Sequence, residues 1–196
     1  MRLHLRTVAL LLSALLFVSA LPAHALTYEY FPDVPDDLPY AEAVNTLTAV
    51  GLFKGDENGN FNPDKTITRA EFSTIMCRLL DVEEEALDIT LSSFDDVPST
   101  HWACGYVTMA VELGLVNGYG NGRFGPSDFL TYEQAIKVLV CACEYDEDMI
   151  DEAGGWPNGY IAMAEDAGAL ENVAGTVGDP ITRSSVAILI CNMYID

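Results

Sequence analysis

Residues 51–72 read GLFKGDENGNFNPDKTITRAEF, and residues 114–135 read GLVNGYGNGRFGPSDFLTYEQA. Each stretch opens on Gly-Leu and carries an Asn-Gly turn seven residues later, at Asn58-Gly59 and Asn121-Gly122. Phe-x-Pro follows at Phe61 to Pro63 and at Phe124 to Pro126. A Thr then stands at the same distance from the opening Gly in both, at Thr68 and Thr131. A copy with a shorter interval from Gly to Thr runs from Gly168-Ala169-Leu170 to Ile181-Thr182-Arg183 and has no Phe-x-Pro. The three opening glycines are Gly51, Gly114 and Gly168, so the second interval is somewhat shorter than the first. Internal repetition of this kind means stacked supersecondary units.

The residues flanking each copy are helical by spacing. Ala43, Thr46, Leu47 and Val50 precede the first Gly at i, i+3, i+4, i+7. Tyr106, Met109, Ala110 and Leu113 repeat the pattern, and so do Tyr160, Met163, Ala164 and Ala167. Each set shares one helix face, and the following Gly suits a left-handed C-terminal cap. After each Thr the pattern returns in Phe72, Ile75, Met76 and Leu79, in Ala135, Val138, Leu139 and Ala142, and in Val186, Leu189, Ile190 and Met193. Thr68 with Glu71, and Thr131 with Gln134, read as capping boxes, while Thr182 with Ser185 keeps the cap and weakens the box. Each unit therefore reads helix–turn–helix. The Phe of each Phe-x-Pro should plug its helix pair, and three pairs should pack together to cover their apolar faces. The Asp- and Glu-rich linkers near 81–93 and 144–155 read as solvated, with room for short helical pieces.

Composition narrows the function. The 196 residues hold 30 Asp+Glu against 9 Lys+Arg, a formal charge of −21. Nucleic-acid binders need a basic surface, so no nucleic-acid partner is expected. Half the residues are hydrophobic and a fifth are charged, which excludes a disordered chain. Arg2 and Arg6, the apolar run from Val8 to Ala20, and Ala23-His24-Ala25 form the three parts of a secretory signal peptide over residues 1–25. The run is too short for a membrane span, so none is expected after cleavage. Removing it takes away two Arg and no acid. That leaves seven bases against 30 acids in the mature chain, a formal charge of −23.

The five cysteines are an odd set for an exported chain, and Cys141-x-Cys143 lacks the second half of a zinc site. Buried free thiols are the expectation. No metal or other cofactor is expected. Asp56-Glu57-Asn58-Gly59-Asn60 has calcium-loop composition, but its Gly is fourth rather than sixth and the twelfth position is Ile67. No nucleophile elbow, His-Glu-x-x-His or phosphate loop is present, and His101 is the only histidine after residue 25, so an enzyme is not expected.

Phe31-x-Asp33-Val34 and Phe94-x-Asp96-Val97, His101-Trp102-Ala103, the Gly-Leu elements, the Asn-Gly-x-Phe-x-Pro turns and Thr68-Arg69-Ala70-Glu71 together resemble the S-layer homology family. The resemblance divides the mature chain into repeats at 26–92, 93–152 and 153–196, the last divergent. It implies a mainly α-helical, three-pronged bundle with pseudo-threefold symmetry. It implies a protein secreted to the cell wall or surface layer and held non-covalently by secondary cell-wall polysaccharide, an anionic glycan often bearing pyruvate ketals. Surface-layer proteins are further partners it suggests. Its grooves lie between prongs and use the Arg of Thr-Arg-Ala-Glu, which falls here on Arg69 and Arg183. Tyr132 takes that place in the second unit, and the third lacks both the Phe-x-Asp-Val entry and the Glu.

The chemistry of these residues is compatible with that role. Arg69 and Arg183 fall at the first helical position, where a helix end favours anions, and a guanidinium can fork onto a carboxylate. Local pairing with acids such as Glu71 is the alternative. Trp102 and Trp156 suit sugar stacking or packing at a helix start. Asp33 and Asp96 suit polar contacts to the wall or turn capping. Tyr132 suits sugar stacking or an exposed spacer position. A protein-interaction surface and a calcium-binding module are the competing functions.

Overall fold

The computed structural model describes residues 31–143 and 145–195, so the signal-peptide segment lies outside the described residues. Eight helices occur among the described residues, with isolated bridges in place of strands. They are α1 (Ala41–Ala49), α2 (Arg69–Leu79), α3 (Glu83–Asp88), α4 (Cys104–Glu112), α5 (Tyr132–Ala142), α6 (Glu147–Glu152), α7 (Asn158–Asp166) and α8 (Arg183–Tyr194). The two acidic linkers supply α3 and α6. The first and second helices of the three units are α1 and α2, α4 and α5, α7 and α8.

Local chemistry sets the helix ends where the spacing puts them. Gly51, Gly114 and Gly168 take φ of +82°, +74° and +73°. The amide after each reaches back five residues, from Leu52 to the Leu47 carbonyl, from Leu115 to Ala110 and from Ala169 to Ala164. Such a left-handed cap strains any residue with a Cβ. At the second helices, Thr68 and Glu71 form the full capping box. Thr182 accepts from the Ser185 amide at 3.2 Å. Thr131 and Gln134 form the second box, in which Gln134 Oε1 accepts the Thr131 amide at 3.3 Å.

The three units meet in a closed triangle of backbone hydrogen bonds. The Ile67 amide donates to the Ile181 carbonyl at 3.1 Å, Leu130 to Ile67 at 3.0 Å and Ile181 to Leu130 at 2.9 Å. All three side chains are buried, as the residue before each Thr cap should be in a threefold hub. One continuous core runs through all three units, from Phe31 to Cys191.

The helices do not pair within units as the helix–turn–helix reading implied. α2 packs on α4, α5 on α7 and α8 on α1. Each prong thus joins the second helix of one unit to the first helix of the next, and the last prong closes the chain on itself. The loop between the helices of a unit contributes core residues of its own. Phe53 and Phe61 are buried in it in the first unit, and Phe124 in the second. The apolar stripes of each unit's helices meet helices of the neighbouring units instead.

No disulfide joins the five cysteines, all of which lie among the described residues. Cys77, Cys104 and Cys191 are buried, and Cys141 and Cys143 are partly so. Burial pushes the Cys77 thiol up to about 12, far from reactive. No described helix is long and apolar enough to cross a membrane.

Candidate functional site

Arg69 opens α2 and its side chain leaves its own unit. Nε donates to the Phe124 carbonyl at 3.0 Å and Nη2 to the Asn117 carbonyl at 2.7 Å, both in the turn of the second unit. The guanidinium lies 4.4 Å from the centroid of the Phe124 ring and 5.0 Å from that of Tyr119. Arg183 opens α8 and repeats the arrangement on the first unit. Its Nε donates to the Phe61 carbonyl at 2.9 Å and its Nη2 to Lys54 at 3.1 Å, with the Phe61 and Phe53 rings at 4.6 and 5.5 Å.

Neither arginine forms an ion pair with a carboxylate among the described residues, so the alternative of local pairing is not realised there. Glu71 instead pairs with Lys65 at 3.0 Å and caps Thr68. Burial pushes the pKa of both guanidiniums down, and surrounding acids oppose that: Asp128 and Asp96 around Arg69, Glu71, Asp33 and Asp56 around Arg183. An Arg remains charged in such a setting. Each side chain therefore carries a positive charge without a paired carboxylate, fixed by two hydrogen bonds and two aromatic faces. Nη1 of each makes none of these bonds.

Asp33 and Asp96 cap the turns that receive the arginines. Asp33 accepts the Phe61 amide at 2.8 Å and the Asn62 amide at 2.6 Å, one on each oxygen. Asp96 accepts the Phe124 amide at 2.8 Å and the Gly125 amide at 2.9 Å. Burial works against the Asp96 carboxylate, but those amides and Arg123 at 3.5 Å outweigh it and hold its pKa below the usual range. Both aspartates therefore act on the site indirectly, by fixing the carbonyls of Phe61 and Phe124 that hold the arginines.

Tyr132 is not an exposed spacer. It is 8% exposed, and a Cβ on Gly175 would collide with its ring. The third unit lacks the Phe of Phe-x-Pro, and the Tyr132 ring fills that space from the neighbouring helix. Its place in the ring of units matches the two arginines, since its amide donates to the Asp179 carbonyl just as that of Arg69 donates to Asp128.

The tryptophans stand apart from the arginines. Trp102 is 60% exposed, stacked on His101 with ring centroids 5.7 Å apart. His101 Nδ1 in turn accepts the Ala103 amide at 3.1 Å at the start of α4, a structural task. Trp156 is 50% exposed beside Tyr160. The Asp56 carboxylate is occupied within its own loop by the amides of Asn58 and Asn60 and by Asn62 Nδ2, which hold its pKa down. No cluster of three or more metal-ligating side chains occurs among the described residues.

One residue of this site escaped the sequence reading. Tyr119 is 53% exposed, bonds Asp128 Oδ2 through its hydroxyl at 2.8 Å and flanks Arg69. Its signal was an aromatic between the glycines of Gly118-Tyr119-Gly120, where the first unit has Asp56.

Comparison with known proteins places these features in a family. The profile of the S-layer homology domain matches residues 30–73 and 93–136. A protein named "Cell surface protein" from Thermoanaerobacter kivui is 36% identical over 162 residues, covering 82% of this chain and 20% of the relative. "Middle cell wall protein" of Brevibacillus brevis is 32% identical over 157 residues, covering 80% and 14%. "Exoglucanase XynX" of Acetivibrio thermocellus is 26% identical over 175 residues, covering 82% and 16%. The chain thus spans a fifth or less of the length of these relatives. What the comparison shows is two matches to the S-layer homology domain, one in each of the first two units, at residues 30–73 and 93–136.

Proposed function

We propose that this chain is a non-enzymatic wall-anchoring module that grips an anionic secondary cell-wall polysaccharide through Arg69 and Arg183. Its place is the cell surface, in keeping with its S-layer homology repeats and with relatives named as surface and wall proteins. One observation carries the finer reading. In a chain with 30 acids, the two repeat-equivalent arginines pair with no described carboxylate and are held rigid by carbonyls and aromatic rings. A fixed guanidinium with a free Nη1 edge suits a sugar carboxylate such as a pyruvate ketal, for roughly 1.5–3 kcal/mol per charged hydrogen bond. Tyr119 adds an aromatic face beside Arg69 for a sugar ring.

Residues 153–196 form a third, diverged repeat in this reading, and Tyr132 leaves the junction of the second and third units without an arginine site. The occurrence of a related segment in a protein named exoglucanase fits a module that anchors varied proteins. The test is sedimentation with purified walls before and after chemical removal of the secondary polysaccharide. Binding should vanish with the polymer, and binding that survives its removal would replace the glycan with a wall protein as the partner.

A further inference from the structure

The third junction carries a cation of its own. Lys137 lies on α5, and its Nζ stands 5.3 Å from the centroid of the Trp156 ring and 5.4 Å from that of Tyr160, both on the α7 side of the same prong. It has no ion pair among the described residues. Arg78, Arg123 and Lys65 each have a carboxylate partner and Lys54 is exposed on the surface. The three remaining bases among the described residues, Arg69, Arg183 and Lys137, each lie over two aromatic rings. Each also bridges a different pair of neighbouring units.

The position of Lys137 is unusual for a lysine. Counting from the capping Thr, its equivalents are Thr74 on α2 and Ile188 on α8, both 6% exposed and packed in their prongs. The residues facing those positions also differ, since Trp102 lacks a cation and Pro39 replaces the tryptophan in the first unit. Among the described residues, only the α5–α7 prong sets an ammonium against an exposed tryptophan. A partly buried cation without a partner carries a desolvation cost that a bound anion would offset. Glu147 and Asp151 are near enough to raise the Tyr160 phenol, after burial and Cys141, yet neither pairs with the lysine.

We propose that Lys137, Trp156 and Tyr160 form an additional binding site for a carboxylate-bearing hexopyranoside, distinct from the arginine sites. The ammonium binds the carboxylate as a point charge. The half-exposed indole meets the apolar C–H face of the ring, and the Tyr160 ring closes one edge. The site lies five residues beyond Tyr132, about 7.5 Å along α5 and well round its circumference. It therefore sits on the flank of the prong rather than between turn and helix start. The proposal rests on the glycan reading for its choice of ligand.

The test uses Trp156 fluorescence in the full chain with Trp102→Phe. The probes are a methyl hexopyranoside carrying a 4,6-pyruvate ketal and its isopropylidene twin, in which a methyl group replaces the carboxylate. The acid should give a saturable signal. Lys137→Met should weaken it about tenfold or more, and Lys137→Arg should restore most of it. The isopropylidene twin should bind no better to the parent than the acid does to Lys137→Met. Circular dichroism confirms that each variant is folded. Equal affinity of the folded Lys137→Met variant and the parent, no saturable signal from the acid, or equal affinity of the two probes for the parent, would overturn the site. Wall sedimentation of the same variants keeps the two readings apart. Polysaccharide-dependent binding that survives Lys137→Met but not the loss of both arginines leaves the anchoring function in place whatever the titration shows.

Discussion

Arg183 Nε donates to the carbonyl of Phe61, 122 residues earlier in the chain, at 2.9 Å. That bond joins the last helix to the first turn and closes the ring of three units. Arg69 makes the same bond to Phe124, 55 residues later. The side chains best placed to bind a ligand are therefore also clamps between units. Both roles come from one geometry, because the carbonyls that fix Nε and Nη2 leave Nη1 to point elsewhere.

The clamps should register in stability. Arg69→Ala and Arg183→Ala should each cost about 1.5–3 kcal/mol, the worth of hydrogen bonds from a charged donor. Arg→Lys should recover little, since an ammonium cannot span two carbonyls in a fixed fork. Urea unfolding measures this, and unchanged midpoints in both alanine variants would deny the clamp role.

Loss of wall binding has to be separated from loss of fold. The double variant Arg69→Ala, Arg183→Ala should bind purified walls at least about tenfold more weakly at a temperature where its helical dichroism matches the parent. Parental binding by the folded double variant would remove both arginines from the site.

Tyr132 and Gly175 make a second pair that can be tested by itself. An added Cβ at Gly175 would run into the tyrosine ring, so Gly175→Ala should cost about 1–3 kcal/mol. In Tyr132→Ala that clash is gone, and adding Gly175→Ala should then cost much less. A double-mutant cycle in urea measures the coupling. Additive effects would return Tyr132 to the exposed role that its sequence position suggested.

Much of this architecture is legible in single residues. The period of the Gly-Leu elements locates the units, the i, i+3, i+4, i+7 stripes locate the helices, and Thr68 and Gly51 mark where they start and stop. Partner choice is not legible. Periodicity says which face of α2 is apolar, but not that the face meets α4 rather than α1. That is set by tertiary packing, which no single stripe encodes. The site shows the same division. Position places Arg69 at a helix start, yet its bonds run 48 and 55 residues away to Asn117 and Phe124. The burial of Tyr132 likewise depends on a glycine in the next unit, and the setting of Lys137 on two rings of α7 and its approach.

Acid should act through the turn caps. The folded Asp96 carboxyl is held below its usual value, so its contribution is present above the unfolded value of about 4 and is lost as pH falls through the folded one. Glu71 follows the same sign: burial raises its pKa, but the bonds from Thr68 and Lys65 outweigh that. In Asp96→Asn one of the two amide acceptors is gone at every pH. The stability gap between wild type and Asp96→Asn should therefore be constant from pH 7 to about 5 and narrow progressively below about 4. The relief of self-repulsion on acidification acts on both proteins alike. Urea midpoints at several pH values measure the gap, and one that does not narrow at all as pH falls below the unfolded value would mean that Asp96 is not held by its charge.

Salt distinguishes this mode of recognition from a basic patch. A chain of formal charge −21 repels an anionic polymer at long range, so attraction has to come from the few fixed cations at contact distance. The Debye length is about 10 Å at 0.1 M salt. Screening therefore removes the long-range repulsion while leaving partly buried guanidinium contacts less affected. Wall binding should hold or rise between about 20 and 150 mM sodium chloride. A basic-patch binder loses affinity steeply over the same interval, because its binding energy comes from exposed charges and released counterions. Sedimentation isotherms across that range decide between them, and a steep fall would place the binding energy in exposed charges such as Lys54 and Arg123 instead of Arg69 and Arg183.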